Sequence, residues 1–129
     1  MQVLKEIKGI KNISQEWCIS PAYYARYNAI YSLFMKCGIK CEIHDCTLAL
    51  FRFLFGKEFR NDILEEVEDA KEQRINAQYY TNRVISDKKY NENLKDTPNF
   101  VLKLESFTNS FTKDQVDGTR EKLKRLMEK

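Results

Sequence analysis

The sequence predicts an all-α protein, an antiparallel up-and-down bundle of four to five helices in a single domain spanning residues 1–129. Three observations predict it. Only 4 Gly and 2 Pro occur in 129 residues, too few for a turn-rich β fold. Apolar residues recur at three- and four-residue spacing along most of the chain. The links between these periodic stretches are short, which favours antiparallel neighbours. With 43% hydrophobic and 32% charged residues, the chain can build one core and still cover it with polar surface.

Val3, Leu4, Ile7 and Ile10 predict an amphipathic helix that begins abruptly at residue 1, and Asn12 to Cys18 reads as a connection. Ser20-Pro21 reads as a helix start, with Ser as N-cap and Pro at the first helical position. That helix runs to Cys37, where Gly38 stops it. After a link from Ile39 to Ile43, a third helix covers His44 to Phe55; Leu48, Leu50, Phe51, Leu54 and Phe55 make it strongly apolar. Gly56 ends it. The fourth runs from about Asn61 to Ile85, with Ile63, Leu64, Val67, Ala70, Ile75, Ala77 and Tyr79 as its stripe and acidic residues in its first half. Asp87 to Asp96 reads as a polar connection. Thr97-Pro98 repeats the cap-and-proline start, followed by Phe100, Val101, Leu104, Phe107 and Phe111. A Thr112…Gln115 capping box opens the last helix, to Met127, which Gly118 weakens.

A net charge of +3 permits contact with nucleic acid without implying it. No stretch reaches the length of a membrane span, and the N-terminus lacks the apolar run of a signal peptide. Cys18, Cys37, Cys41 and Cys46 then read as mostly free thiols of a cytoplasmic protein.

Chemistry concentrates in one segment. Tyr23, Tyr27 and Tyr31 lie four residues apart on one helix face, with Tyr24 and Asn28 beside them. Such a stripe is a core face with hydroxyls at its rim, or a pocket wall that stacks a base. His44, the only histidine, opens the third helix. The helix dipole there disfavours added positive charge, so a neutral His44 could serve as a general base, or it could satisfy a tyrosine hydroxyl. Lys40 could stabilise a developing negative charge. Arg74 is a surface ion-pair residue or an inward guanidinium suited to phosphate, with Tyr79-Tyr80 following it. Cys37, Cys41, His44 and Cys46 spell C-x3-C-x2-H-x-C, a compressed spacing for zinc. No cofactor motif stands out.

Three segments taken together resemble the HEPN domain (higher eukaryotes and prokaryotes nucleotide-binding): Ser20-Pro21-Ala22-Tyr23-Tyr24-Ala25-Arg26-Tyr27-Asn28-Ala29, Gly38-Ile39-Lys40-Cys41-Glu42-Ile43-His44-Asp45, and Arg74-Ile75-Asn76-Ala77-Gln78-Tyr79-Tyr80. The resemblance is to its small prokaryotic and archaeal branch and spans about residues 16 to 110. It implies an all-α bundle that is often dimeric and often encoded beside a minimal nucleotidyltransferase as a toxin–antitoxin pair. Active members are metal-independent ribonucleases, in which a histidine helps activate the ribose 2′-hydroxyl and an arginine holds the phosphate. Carried over, His44 matches the motif histidine, and Lys40 stands where the arginine belongs. Asn28 stands where many relatives have a histidine, and Arg74 and Tyr79 match the fourth-helix pattern. Lysine supplies charge without a bidentate fork. The resemblance therefore implies a nucleotide- or RNA-associated interaction module that pairs with itself as a homodimer and with a nucleotidyltransferase. The alternatives are an endoribonuclease toxin using His44 and Lys40, and a metal-binding structural protein.

Overall fold

A computed structural model describes the backbone of residues 2–59, 61–79 and 86–128, and the side chains of residues 18–59, 63–76 and 86–128. Five helices follow one another among the described residues: α1 (Gln2–Lys36), α2 (His44–Phe55), α3 (Asn61–Tyr79), α4 (Asp87–Ser110) and α5 (Lys113–Met127). They form a helical bundle in which α1 packs chiefly against α4 and α3. The side chains of the expected stripe Val3, Leu4, Ile7 and Ile10 and of Ala77 and Tyr79, and the whole stretch 80–85, lie outside the described residues.

Two expected helix starts lie inside helices instead. Ser20-Pro21 sits within α1, and no connection separates residues 12 and 18. Pro21 has no N–H for the Trp17 carbonyl, a defect that by itself would end or kink a helix. Ile19, Ala22 and Tyr23, on either side of it, are buried, and their packing carries the helix through. Thr97-Pro98 likewise sits within α4, which starts ten residues earlier at a Ser86 N-cap whose side chain accepts from the Lys89 N–H at 3.3 Å. The segment expected to be a polar connection has a helical inward face: Tyr90, Asn93, Leu94 and Thr97 are its less exposed positions, at i, i+3, i+4 and i+7.

The other boundaries fall where their local chemistry places them. At the end of α1, Gly38 adopts φ +69°. Ile39 N–H donates to the Phe34 carbonyl at 2.9 Å and Gly38 N–H to the Met35 carbonyl at 3.0 Å, a Schellman closure. A side chain at Gly38 would also collide with the Arg120 guanidinium. This closure turns the chain back so that α2 begins beside the tyrosine face of α1. The capping box Thr112/Gln115 starts α5 with both of its hydrogen bonds formed.

One apolar core unites Ile30, Leu33 and Phe34 of α1 with Leu48, Phe51 and Phe55 of α2, Leu64 and Val67 of α3, and Phe100 and Leu104 of α4; Val116 and Leu123 of α5 pack on it. A small second cluster, Tyr23, Tyr27 and Ala70 with Tyr31 against it, joins α1 to α3. No described helix is long and apolar enough to cross a membrane.

Candidate functional site, an aromatic and basic cluster at the start of α2

The inward stripe of α2 starts with its first residue. His44, Thr47, Leu48 and Phe51 follow helical spacing, so the packing of Leu48 and Phe51 in the core aims His44 at α1. There its ring stacks on Tyr27, with centroids 3.9 Å apart and planes within 8°. Tyr23 meets it by a hydroxyl-to-Nδ1 hydrogen bond of 3.1 Å, and Tyr24 presents its ring edge-on at 5.7 Å. Tyr27 is itself fixed: its hydroxyl lies 3.2 Å from Thr47 Oγ1, which also reaches the carbonyls of Ile43 and Cys41 at 3.1 and 3.3 Å.

From α3 comes Arg74, four residues beyond Ala70 on the inward side. Its guanidinium carbon lies 5.4 Å from the Tyr23 ring centroid and 5.1 Å from that of Tyr24. Its Nε is buried and has no hydrogen-bond partner among the described residues. Beside it Lys71 pairs with Asp45 in the first turn of α2. Burial first and the Arg74 charge second hold His44 below its ordinary value of 6.5, so the ring is neutral at neutral pH. Burial also pushes the Tyr23 phenol up to about 12, against the pull of Arg74, so Tyr23 keeps its proton.

The chemistry of this pair depends on one proton. With the Tyr23 hydroxyl donating to Nδ1, the other ring nitrogen carries a hydrogen and can donate to an anion. With Nδ1–H donating to the phenol oxygen, Nε2 has a free lone pair and can act as a base.

The cluster thus brings together His44, Tyr24, Tyr27 and Arg74 of the sequence-predicted residues. Lys40 and Asn28 lie elsewhere. Lys40 is exposed in the link before α2, its Nζ 4.0 Å from Glu42, and the charges acting on His44 are those of Arg74, Asp45 and Lys71. Asn28 lines a groove between α1 and α4 with Ser32, Glu105 and Asn109. Tyr79 closes α3, its side chain outside the described residues. The zinc reading loses its ligands to other tasks: Cys37 is buried in the core and His44 Nδ1 is held by Tyr23. No group of three or more His, Cys, Asp or Glu among the described residues is placed to hold a metal ion.

Sequence reasoning missed Arg26. It is 1% exposed, donates to Glu66 Oε2 at 2.9 Å, to Asn93 Oδ1 at 2.6 Å and to the Asn93 carbonyl at 3.0 Å, and so ties α1 to α3 and α4. Its position gave a signal: three residues after Tyr23 and four before Ile30, it lies on the buried stripe of α1. The groove beside it is rimmed by Asp69, Glu72, Glu92 and Asp96, a field that repels phosphate. Comparison with family models, with curated proteins and with solved structures finds no match to this chain.

Proposed function

We propose that the protein is a HEPN-type nucleotide- or RNA-associated interaction module that takes the phosphate and base of its ligand at the Tyr24–His44–Arg74 cluster. The observation that carries this reading is the half-buried Arg74 guanidinium, set over the Tyr23 and Tyr24 rings beside the neutral His44. A half-buried guanidinium suits a phosphate oxygen, and Tyr24, 37% exposed, offers a ring edge and face for a base. The neutral His44 adds a donor without adding charge. The resemblance further implies a homodimer and a nucleotidyltransferase partner.

Isothermal titration with adenosine monophosphate and with a short single-stranded RNA tests the reading. A charge-assisted hydrogen bond is worth roughly 1.5–3 kcal/mol, so Arg74→Ala should weaken binding by about ten- to a hundredfold. Lys40→Ala, exposed and outside the cluster, should change it by less than about threefold. Equal losses from both variants, or no binding by the wild type, would overturn the site.

One observation favours a second reading, a metal-independent endoribonuclease. His44 is held neutral and oriented through Nδ1, the state a general base needs. RNA cleavage in EDTA that disappears in His44→Ala would establish it. RNA that binds and stays intact with both proteins leaves the interaction module.

A further inference from the structure

The hydrogen bond between Tyr23 and His44 decides which imidazole nitrogen carries the hydrogen, and the two directions of that bond are unequal. A phenol is a far stronger acid than a neutral imidazole N–H. The imidazole lone pair, with an ordinary pKa of about 6.5, is a far stronger base than a phenol oxygen. Across their 3.1 Å the stronger bond therefore has the Tyr23 hydroxyl donating and Nδ1 accepting. Arg74 adds to the bias: its guanidinium carbon lies 5.4 Å from the Tyr23 ring centroid, and a cation there makes the hydroxyl a better donor.

The surroundings hold the ring in the orientation that this bond needs. Tyr27 stacks on the imidazole with centroids 3.9 Å apart, and Tyr24 stands edge-on to it at 5.7 Å. The Tyr27 hydroxyl lies 3.2 Å from that of Thr47, three residues after His44 in the same first turn of α2. The stack and the helix start are thus tied together. A half-turn of the imidazole about its bond to Cβ would put a carbon where Nδ1 now accepts and lose the bond. Tyr23 is wholly buried, so water does not compete for its hydroxyl.

We propose that Tyr23 is a positioning residue whose hydroxyl holds His44 in the tautomer with its hydrogen on Nε2, so that the imidazole meets a ligand as a hydrogen-bond donor. The tautomer belongs to the free protein; what the donor serves rests on the reading of the cluster as a ligand site. Together with the Arg74 guanidinium, a neutral N–H gives a phosphate a second donor without a second charge. A base at Nε2 would need the hydrogen on Nδ1, against the direction of the bond to Tyr23. Tyr23 thus sets His44 to bind rather than to cleave.

His44 is the only histidine in the chain, so nitrogen NMR of the labelled protein reads its ring without ambiguity. In the free wild type at neutral pH, Nε2 should show the shift of a protonated nitrogen and Nδ1 that of an unprotonated one. The bridging proton, on oxygen, should show no one-bond coupling to Nδ1. Tyr23→Phe keeps the ring and removes the donor, and the two nitrogen shifts should move toward each other as the tautomers interchange. Tyr31→Phe removes a hydroxyl two turns along the same stripe and should leave both shifts in place. Far-UV circular dichroism should show both variants as helical as the wild type. With a short single-stranded RNA bound, the Nε2 shift should move while Nδ1 stays unprotonated. A one-bond coupling to Nδ1 in the wild type overturns the proposal, and this measurement needs no variant to fold. Shifts that stay fixed in Tyr23→Phe, or that move as far in Tyr31→Phe, overturn it as well, whether or not RNA binds. RNA that moves no resonance of a ring with the expected tautomer overturns the ligand reading of the cluster instead, and the donor's role with it.

Discussion

Arg26 and Arg74 face two sides of the same tyrosine stripe and are treated in opposite ways. Arg26 sits at the crossing of α1, α3 and α4 with Glu66, the Asn93 amide and the Asn93 carbonyl on its donors and the Phe100 ring 5.8 Å away. Asn93 is held in turn by Gln73 at 2.7 Å. Arg74 has ring faces, and its buried Nε has no partner among the described residues. A buried cation costs several kcal/mol to desolvate, so a chain that keeps one must satisfy it, and Arg26 is satisfied by three elements at once. A half-buried cation that rests on ring faces keeps water on part of its surface and needs no such set of partners. The comparison separates a charge that holds the bundle together from one that is available to a ligand.

The largest effect expected from that contrast is on stability at the first arginine. Arg26→Ala takes away the donor that Glu66 and the Asn93 side-chain oxygen share. It should cost about 3 kcal/mol, toward the low end of what breaking a buried pair costs, because Glu66 is 29% exposed and regains water. Urea unfolding should show the midpoint falling with an unchanged slope. Arg26→Met combined with Glu66→Gln removes both charges and keeps the volume, and should lose less than Arg26→Ala alone. An Arg26→Ala midpoint equal to the wild type would break the contrast at its strong end.

At the second arginine the same substitution should barely register in unfolding. Arg74→Ala gives up two cation–π contacts at a half-buried site, a loss of about 1 kcal/mol or less. Its effect should appear in ligand binding instead. If Arg74→Ala unfolds as readily as Arg26→Ala, both arginines are structural and the cluster loses its claim to a ligand.

How these residues could be read beforehand differs in the same way. Both ends of α2, His44 and Phe55, followed from apolar periodicity and from the glycines at 38 and 56, and the α5 start followed from its capping box. Those signals are local and nothing overrides them. The continuity of α1 and the start of α4 did not follow, because Ser-Pro and Thr-Pro are strong local start signals and only the burial of Ile19, Tyr23, Asn93 and Phe100 outweighs them. In the cluster, Tyr27, His44 and Arg74 each sit on an inward stripe, so their meeting was legible from spacing. Arg26 and Asn93 sit on inward stripes as well, but a polar residue type reads as surface until its partners are known. Asn28, exposed and one position past Tyr27, falls off the stripe and faces the α1–α4 groove. Lys40 is in a link with no periodicity to aim it.

The smallest expected effect is a pH dependence that only one of the two arginines should touch. His44 is held below its ordinary 6.5 by burial first and by Arg74 second. Where the folded value is the lower one, the unfolded chain binds more protons between the two values, and stability rises with pH there. The contribution is complete above 6.5 and is lost as pH falls through the folded value. Asp45, whose carboxyl Lys71 holds below 3.8, acts in a lower window and does not confuse it. Urea unfolding measured from about pH 7.5 down to about pH 5 should therefore show stability declining, and His44→Gln should flatten the decline. Arg74→Ala should make it shallower, since the charge that opposes protonation is gone. Gln73→Ala, on the Arg26 side of the molecule, should leave the slope as it is. A slope in Arg74→Ala equal to that of the wild type would mean that the guanidinium does not act on the imidazole, and the two residues would no longer form one site.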